Sequence, residues 1–414
     1  MSKLTFLIDL GVTRAEFLTI LLLVLNAFTW YLVAFEVLDS MLNVTIGTSS
    51  EIIIVWSIHY VAMASATLIG PVLLKRITGR RNILLVWMAL GVICSLTPML
   101  FVTVSLISAS IFSLLLGLTF GFGMPACMGY LADQTSTERR GRFGGLIYFA
   151  IGIGTFLLLT TLIPFTRLTD ELAILAGWRG FGLISFLVLS KKDDNRKTVT
   201  RSSYASIFRK RPLALYLIPW VMFCLVDSLA RSLFPPEVVR TSFIVGSVIT
   251  GLSSLASGFF SDLVGRKRVV IAGFVMLGIG YAILGTFPEL PISQSVFTVL
   301  GSIAGGTFGA VFLMTLWGDL AEGTEAEKYY AIGGLPYLLS GYFGLLAIPY
   351  LRGLISPYAT FSFASFFLFI AVFPLWLAPE TLPEKEVQKR LLEEYAKDAE
   401  KVKKKLGKRD DTSR

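Results

Sequence analysis

Apolar residues along this chain dominate stretches of about 20 positions, long enough to cross ~30 Å of hydrocarbon at ~1.5 Å per residue. Twelve such stretches recur. The pattern predicts spans at 15–39, 51–74, 83–103, 104–131, 143–165, 171–190, 213–234, 241–264, 268–287, 293–318, 328–350 and 357–378. The longest polar interruption, 190–212, divides the spans six and six. Residues 1–189 and 213–378 are therefore expected to form two bundles joined by a linker. Residues 379–414 are rich in Lys and Glu, and Val387, Leu391, Tyr395, Val402 and Leu406 recur near helical spacing, which predicts a charged helical tail. The fold class expected is all-α and polytopic, with twelve transmembrane helices.

Composition excludes a string of soluble domains. Hydrophobic residues make up 54% and charged residues 16%, where soluble chains carry ~25% charge. The formal net charge of +9 could suggest nucleic acid, but its distribution argues otherwise. Of 37 Lys and Arg, 32 fall in the terminal segments and alternate loops of one side; Arg167, Arg179, Arg231, Arg240 and Arg352 are the remainder. The positive-inside rule makes the crowded side cytoplasmic, with both termini inside a multi-pass cell-membrane protein, and no nucleic-acid partner is expected. Cys94, Cys127 and Cys224 lie within spans, so no extracellular disulfide framework is implied. The first fourteen residues are only weakly amphipathic, so no cleavable signal peptide is expected.

The two halves read as copies. Gly145-Leu-Ile-Tyr148-Phe-Ala-Ile-Gly152 in span 5 matches Gly334-Leu-Pro-Tyr337-Leu-Leu-Ser-Gly341 in span 11, at an offset of 189. Thr78-Gly79-Arg80-Arg81 matches Val264-Gly265-Arg266-Lys267 at 186, and Asp133 matches Asp319 at the same offset. A weaker match pairs Phe35-Glu36 through Asp39-Ser40 with Phe223-Cys224 through Asp227-Ser228, at 188. Duplicated six-helix halves mark transporters that rock about a midplane site.

Gly258-Phe-Phe-Ser-Asp262-Leu-Val-Gly265-Arg266-Lys267-Arg268 resembles the loop signature of the major facilitator superfamily. Its counterpart Lys75-Arg76-Ile-Thr-Gly79-Arg80-Arg81 is degenerate, with Arg76 where the acidic residue belongs. Glu138-Arg139-Arg140-Gly141-Arg142 and Pro379-Glu380-Thr381 look like the sugar and metabolite porter branches, although the Lys-Gly that follows the latter and a Pro-Glu-Ser-Pro-Arg after span 6 are missing. The resemblance implies that Asp262, Gly265, Arg266, Gly79, Arg80, Asp133 and Arg142 form gating loops, latched in the outward-facing state. In physical terms Gly265 permits a tight reversal, while Asp262 can pair with Arg266 or with a neighbouring helix N-terminus.

Polar groups inside spans are expensive, so each needs a partner or a function. In span 7, Tyr216, Trp220, Asp227 and Arg231 share a face. Asp227 and Arg231, one turn apart, form either a structural pair or a proton acceptor with its switchable partner. Span 1 presents Asn26, Thr29, Trp30 and Glu36 on one face, with Asp39 at its edge. The resemblance places spans 1, 4, 7 and 10 around the cavity. Asn26, Thr29, Trp30, Tyr216 and Trp220 are thus the expected substrate wall, and Asp227, Arg231, Glu36 and Asp39 the expected proton-coupling set. Glu36 and Asp39 read equally well as helix-end charges. His59, the only histidine, is either a pH sensor or a satisfied interhelical hydrogen bond. Arg179 either snorkels to the outer interface or is drawn inward as an anion site. Pro125, Pro219 and Pro336 are expected to interrupt helices at a cavity.

No P-loop motif, metal-ligand cluster or nucleophile–base constellation is visible, so no cofactor, metal or enzyme activity is expected. The expected function is secondary active transport of a small polar or amphipathic solute (sugar, organic acid or similar metabolite) by alternating access. A monomer coupled to protons is expected to carry it out. Rival readings are a drug or lipophile efflux pump of the same fold and a non-transporting membrane sensor signalling through its tail.

Overall fold

The protein is described from a computed structural model. The residues described are 12–45, 49–77, 79–101, 105–165, 167–190, 202–231, 236–287, 289–321, 324–351 and 356–382. Twelve helices among them are long and apolar enough to cross a membrane. They are α1 (Arg14–Asn43), α2 (Ser50–Leu73), α3 (Arg80–Leu100), α4 (Leu106–Gln134), α5 (Arg140–Leu162), α6 (Leu168–Leu189), α7 (Arg211–Ala230), α8 (Gly246–Val264), α9 (Arg266–Thr286), α10 (Pro291–Leu320), α11 (Ala326–Ala347) and α12 (Tyr358–Leu377). Their centres coincide with the twelve expected spans. The tail from 383 onward and linker residues 191–201 lie outside the described residues.

Local chemistry sets several boundaries that hydropathy leaves blurred. Spans 3 and 4 abut in the apolar pattern, but Pro98 ends α3 in a 3₁₀ turn, Thr97–Leu100. A capping box then opens α4. Ser105 Oγ accepts from the Ser108 amide, and Ser108 Oγ accepts from the Ser105 amide. Pro125 and Pro219 do not break their helices, which run through both positions. The irregular segment is instead in α10, where Gly309–Leu316 is π-helical. There Thr315 Oγ1 donates back to the Ala310 carbonyl at 2.8 Å, meeting part of the hydrogen-bonding capacity that the wider helix leaves open.

Helix contacts repeat between the halves. In the first, α2 packs on α4, α3 on α4 and α6, and α1 on α5 and α6; in the second, α8 packs on α10, α9 on α10 and α12, and α7 on α11 and α12. Adding six to each helix number converts one set into the other. Contacts between the groups follow the same rule, since α5 against α8 mirrors α11 against α2; α4–α11 and α5–α10 also cross the boundary. The α5–α8 crossing is close because it is built from small residues. A Cβ on Gly145 would strike the Ser254 carbonyl, and one on Gly258 would strike the Gly141 carbonyl.

Candidate functional site

The charged loop residues converge at one end of the helices, where they join the two groups. Asp133 and Asp319 close α4 and α10, while Arg80 and Arg266 open α3 and α9; within each group the arginine grips the aspartate, at 2.5 Å for Arg80–Asp133 and 3.1 Å for Arg266–Asp319. Each pair then gains a partner from the other group. Arg140 at the start of α5 meets Asp319 at 2.5 Å, and Arg80 pairs with Glu327 at the start of α11. Asp262 completes the network: it pairs with Arg266 at 2.5 Å and accepts from the amides of Gly141 and Arg142, at 3.0 and 2.9 Å, at the α5 N-terminus. The two partners expected for Asp262 are thus engaged together. Arg142 adds a 3.4 Å contact to Asp262 and lies over the Phe259 ring.

Burial gives this latch its energetic weight. The side chains of Asp262, Asp319 and Arg266 are fully buried. Surface ion pairs contribute ~0–1 kcal/mol, whereas removing one member of a buried pair costs about 3–5 kcal/mol, because an unmatched charge stays behind. Arg266 avoids that fate through two carboxylates and the carbonyls of Ser261 and Thr137.

Gly265 and Gly79 occupy matching positions but have different roles. Gly265 has φ 102°, and the Glu380 carboxylate occupies the space where its Cβ would be. That carboxylate caps α9, accepting from the amides of Arg266 at 2.8 Å and Lys267 at 3.2 Å. The Pro-Glu-Thr stretch after α12 is therefore part of the latch, and Thr381 Oγ1 also reaches Asp319 at 3.4 Å. Gly79 has an ordinary extended conformation, and a Cβ added there would meet nothing within 4 Å, so its geometry does not itself require glycine. The physical reason is local: Gly79 has neither the positive φ of Gly265 nor a carboxylate such as Glu380 packed against it.

A one-turn helix, Tyr204–Phe208, lies across the same end. Tyr204 Oη donates to the Leu68 carbonyl at 2.8 Å; burial and the nearby Glu325 carboxylate push this phenol up to about 12, which keeps it a donor. From α11, Lys328 reaches the Ser202 carbonyl and, at 3.2 Å, Glu325, while Lys210 donates to Tyr329 Oη at 2.6 Å.

The expected substrate wall of α1 requires correction. Asn26 Nδ2 donates to the Trp178 carbonyl at 2.6 Å, Trp178 Nε1 donates to Thr29 Oγ1 at 2.8 Å, and Trp30 Nε1 donates to Ser95 Oγ at 2.8 Å. All three residues are buried and turned toward α3 and α6, inside the first group. Their polar atoms are consumed in binding α1 to its neighbours. Arg179 joins them: it is fully buried, donates Nη1 to Asn26 Oδ1 at 2.9 Å and lies over the rings of Trp30 and Trp87, at 4.8 and 4.4 Å. The guanidinium is drawn inward rather than snorkelling, and its Nε and Nη2 have no hydrogen-bond partner among the described residues.

On α7, Tyr216 Oη donates to the Pro379 carbonyl at 2.7 Å, toward the latch. Trp220 is fully buried, donates Nε1 to the Gly333 carbonyl at 2.7 Å and stacks on Phe312 and Tyr337. Asp227 is buried and accepts from Tyr281 Oη at 2.8 Å, within the second group. The Arg231 side chain lies outside the described residues. Glu36 is exposed and Asp39 half-buried near the far end of α1, where Asp39 accepts from Asn43 one turn on at 2.9 Å. His59 is buried, with Nδ1 donating to the Ser113 carbonyl at 3.1 Å and Nε2 accepting from Tyr31 Oη at 2.9 Å. That is the satisfied interhelical arrangement.

Sequence reasoning missed Arg140 and Glu327 as cross-group partners. The only available signal was the Asp133/Asp319 repeat, which implied that the arginines near each aspartate deserved pairing.

Residues 234–408 match the model of the Major Facilitator Superfamily. Among solved structures, the chain resembles that of the major facilitator superfamily proton:xylose symporter XylE bound to 6-bromo-6-deoxy-D-glucose. The TM-score is 0.71 at 16% identity, over 88% of this chain and 96% of that one. A double tryptophan mutant of XylE gives a TM-score of 0.70 at 15% identity, over 91% and 98%. At these identities the likeness is one of fold. No curated protein matches the sequence.

Proposed function

With a transporter chain of the Major Facilitator Superfamily as the premise, we propose that the protein is a secondary active transporter that moves a small polar solute, a sugar in the first instance, by alternating access coupled to protons. The observation that carries this reading is the latch. Its ion pairs Arg140–Asp319 and Arg80–Glu327 cross the boundary between two helix groups with matching internal packing. Water can enter from that end only if these pairs separate. Separation at an aqueous rim lets the freed charges hydrate, which offsets much of the lost attraction, so closed and open forms can lie within a few kcal/mol. The basic residues around the latch make it the cytoplasmic end by the positive-inside rule, so the closed latch corresponds to an outward-facing arrangement in the cell membrane. XylE, whose fold is shared, is a proton:xylose symporter, which favours a sugar and a proton here.

Asp227 is the proposed proton carrier. It is a buried acidic side chain in the last turn of α7, held by Tyr281, whose ring packs with those of Phe297 and Phe361. An unmatched charge buried within the bundle is expensive, so a proton bound or released there would be coupled to how α7 packs. Uptake into proteoliposomes with and without an imposed pH gradient tests both parts. The gradient should drive accumulation in the wild type, while Asp227→Asn should retain exchange and lose gradient-driven accumulation. Full accumulation by Asp227→Asn would refute the assignment.

A further inference from the structure

The repeated motif Gly-Leu-X-Tyr places one tyrosine from each helix group, Tyr148 on α5 and Tyr337 on α11, at the boundary between the groups. Tyr337 lies about 16 Å along α11 from Ala326, near mid-membrane. It is 41% exposed. The glycines on its own face show that this exposure is not to lipid. On one flank, Gly341 lies against Tyr60 and Gly334 against Met124, both from the first group; on the other, Gly333 lies against Trp317 and Gly344 against Ser228, both from the second. The lipid-type residue Leu346 projects from the opposite side of the helix. The open face of Tyr337 is therefore enclosed by protein from both groups. One side of its ring is backed by Trp220, at 6.0 Å and 13° between planes, and the Tyr31 phenol of α1 is close enough to interact electrostatically.

Tyr148 has the corresponding place on α5. One turn before it, Gly144 and Gly145 are pressed on α10 and α8, its own ring covers Gly309 of α10, and one turn after it Gly152 is exposed with no neighbouring atom within 4 Å. Along this line, contact between the groups gives way to open space at Tyr148.

The geometry points to Tyr148 and Tyr337 as paired solute-contacting rings of the central cleft, with Tyr337, stiffened by Trp220, as the stacking platform. The groups named around the two rings are aromatic, thioether, hydroxyl and glycine, and none carries charge. Such a surface suits an uncharged solute with one apolar ring face and several hydroxyls, the chemistry of a pyranose, and disfavours organic anions and cations. This assignment rests on the transport reading above and deepens it.

Proteoliposomes containing purified protein are assayed for uptake of D-xylose and D-glucose, with L-lactate and tetraphenylphosphonium as anionic and cationic comparison solutes. The wild type should take up a pyranose. Tyr337→Ala should raise KM about tenfold, as lost ring stacking implies, while Tyr337→Phe stays within about threefold. A second readout guards against misfolding: in Tyr337→Cys, a water-soluble methanethiosulfonate reagent should label the new thiol, and the sugar should protect it. Background is low because Cys94, Cys127 and Cys224 are buried. Pyranose uptake with unchanged KM in Tyr337→Ala, or a Tyr337→Cys thiol that does not react, overturns the platform and leaves the transport reading standing. Movement of lactate or tetraphenylphosphonium but no sugar overturns the pyranose assignment. Movement of none of the four overturns the reading beneath it.

Discussion

Arg140 and Asp319 stand 179 residues apart in sequence and 2.5 Å apart in space, joining the first turn of α5 to the last turn of α10. Asp319 is also held by Arg266, so one buried carboxylate ties together helices from both groups. A double-mutant cycle on Arg140→Ala and Asp319→Ala should give a coupling energy of about 1–3 kcal/mol, as expected for a contacting pair in one network. Thermal unfolding of the four proteins in detergent measures it. Strict additivity would mean that the latch contributes nothing in the folded protein.

The two loop glycines offer an internal control. Gly265→Ala forces a side chain into positive φ and into the Glu380 carboxylate, and should destabilise the protein by about 1–3 kcal/mol. Gly79→Ala meets nothing and should stay within about 0.5 kcal/mol. Equal melting temperatures for the two variants would show that the repeat, rather than backbone geometry, governs both positions.

Glu380→Ala removes the carboxylate that caps α9 and should lower stability by about 1 kcal/mol, the size of a lost N-cap. Thermal unfolding of the purified variant beside the wild type measures it.

Arg179 and Asn26 make opposite predictions. Asn26→Ala strips the guanidinium of its hydrogen-bonded partner and should cost about 1–3 kcal/mol. Arg179→Met replaces a buried cation by an apolar chain of similar length, and by the behaviour of buried charges should be neutral or stabilising. A sharp fall in melting temperature for Arg179→Met would show that contact with Trp30 and Trp87 outweighs desolvation.

The architecture was legible in the sequence because the bilayer imposes a length on every apolar run, and duplication leaves motifs at nearly constant offsets. Asp262 and Arg266 were legible for a similar reason: their loop carries charge where a helix ends. The face of α1 was not. Helical spacing shows that Asn26, Thr29 and Trp30 share a side, but not which neighbour that side meets. A polar stripe serves equally to bind a helix to its own group or to line a cleft. In α1 it does the former, through Trp178, Arg179 and Ser95. The tyrosines of α5 and α11 were visible only as a repeat, since an aromatic in an apolar span has no distinguishing pattern until its flanking glycines acquire contacts. The π-helical turn of α10 was invisible, for it follows from packing rather than from proline.

Alternating access requires the two helix groups to rock apart at the latch. Spin labels at Ser136→Cys, in the α4–α5 loop, and Arg268→Cys, in α9, sit on exposed positions of opposite groups, and pulsed electron–electron resonance in lipid nanodiscs reads the distance between them. Two populations should be seen, the shorter dominant in the otherwise unaltered protein and the longer enriched by Asp319→Asn. A single distance, indifferent to that substitution and to pH, would show that the groups do not separate there.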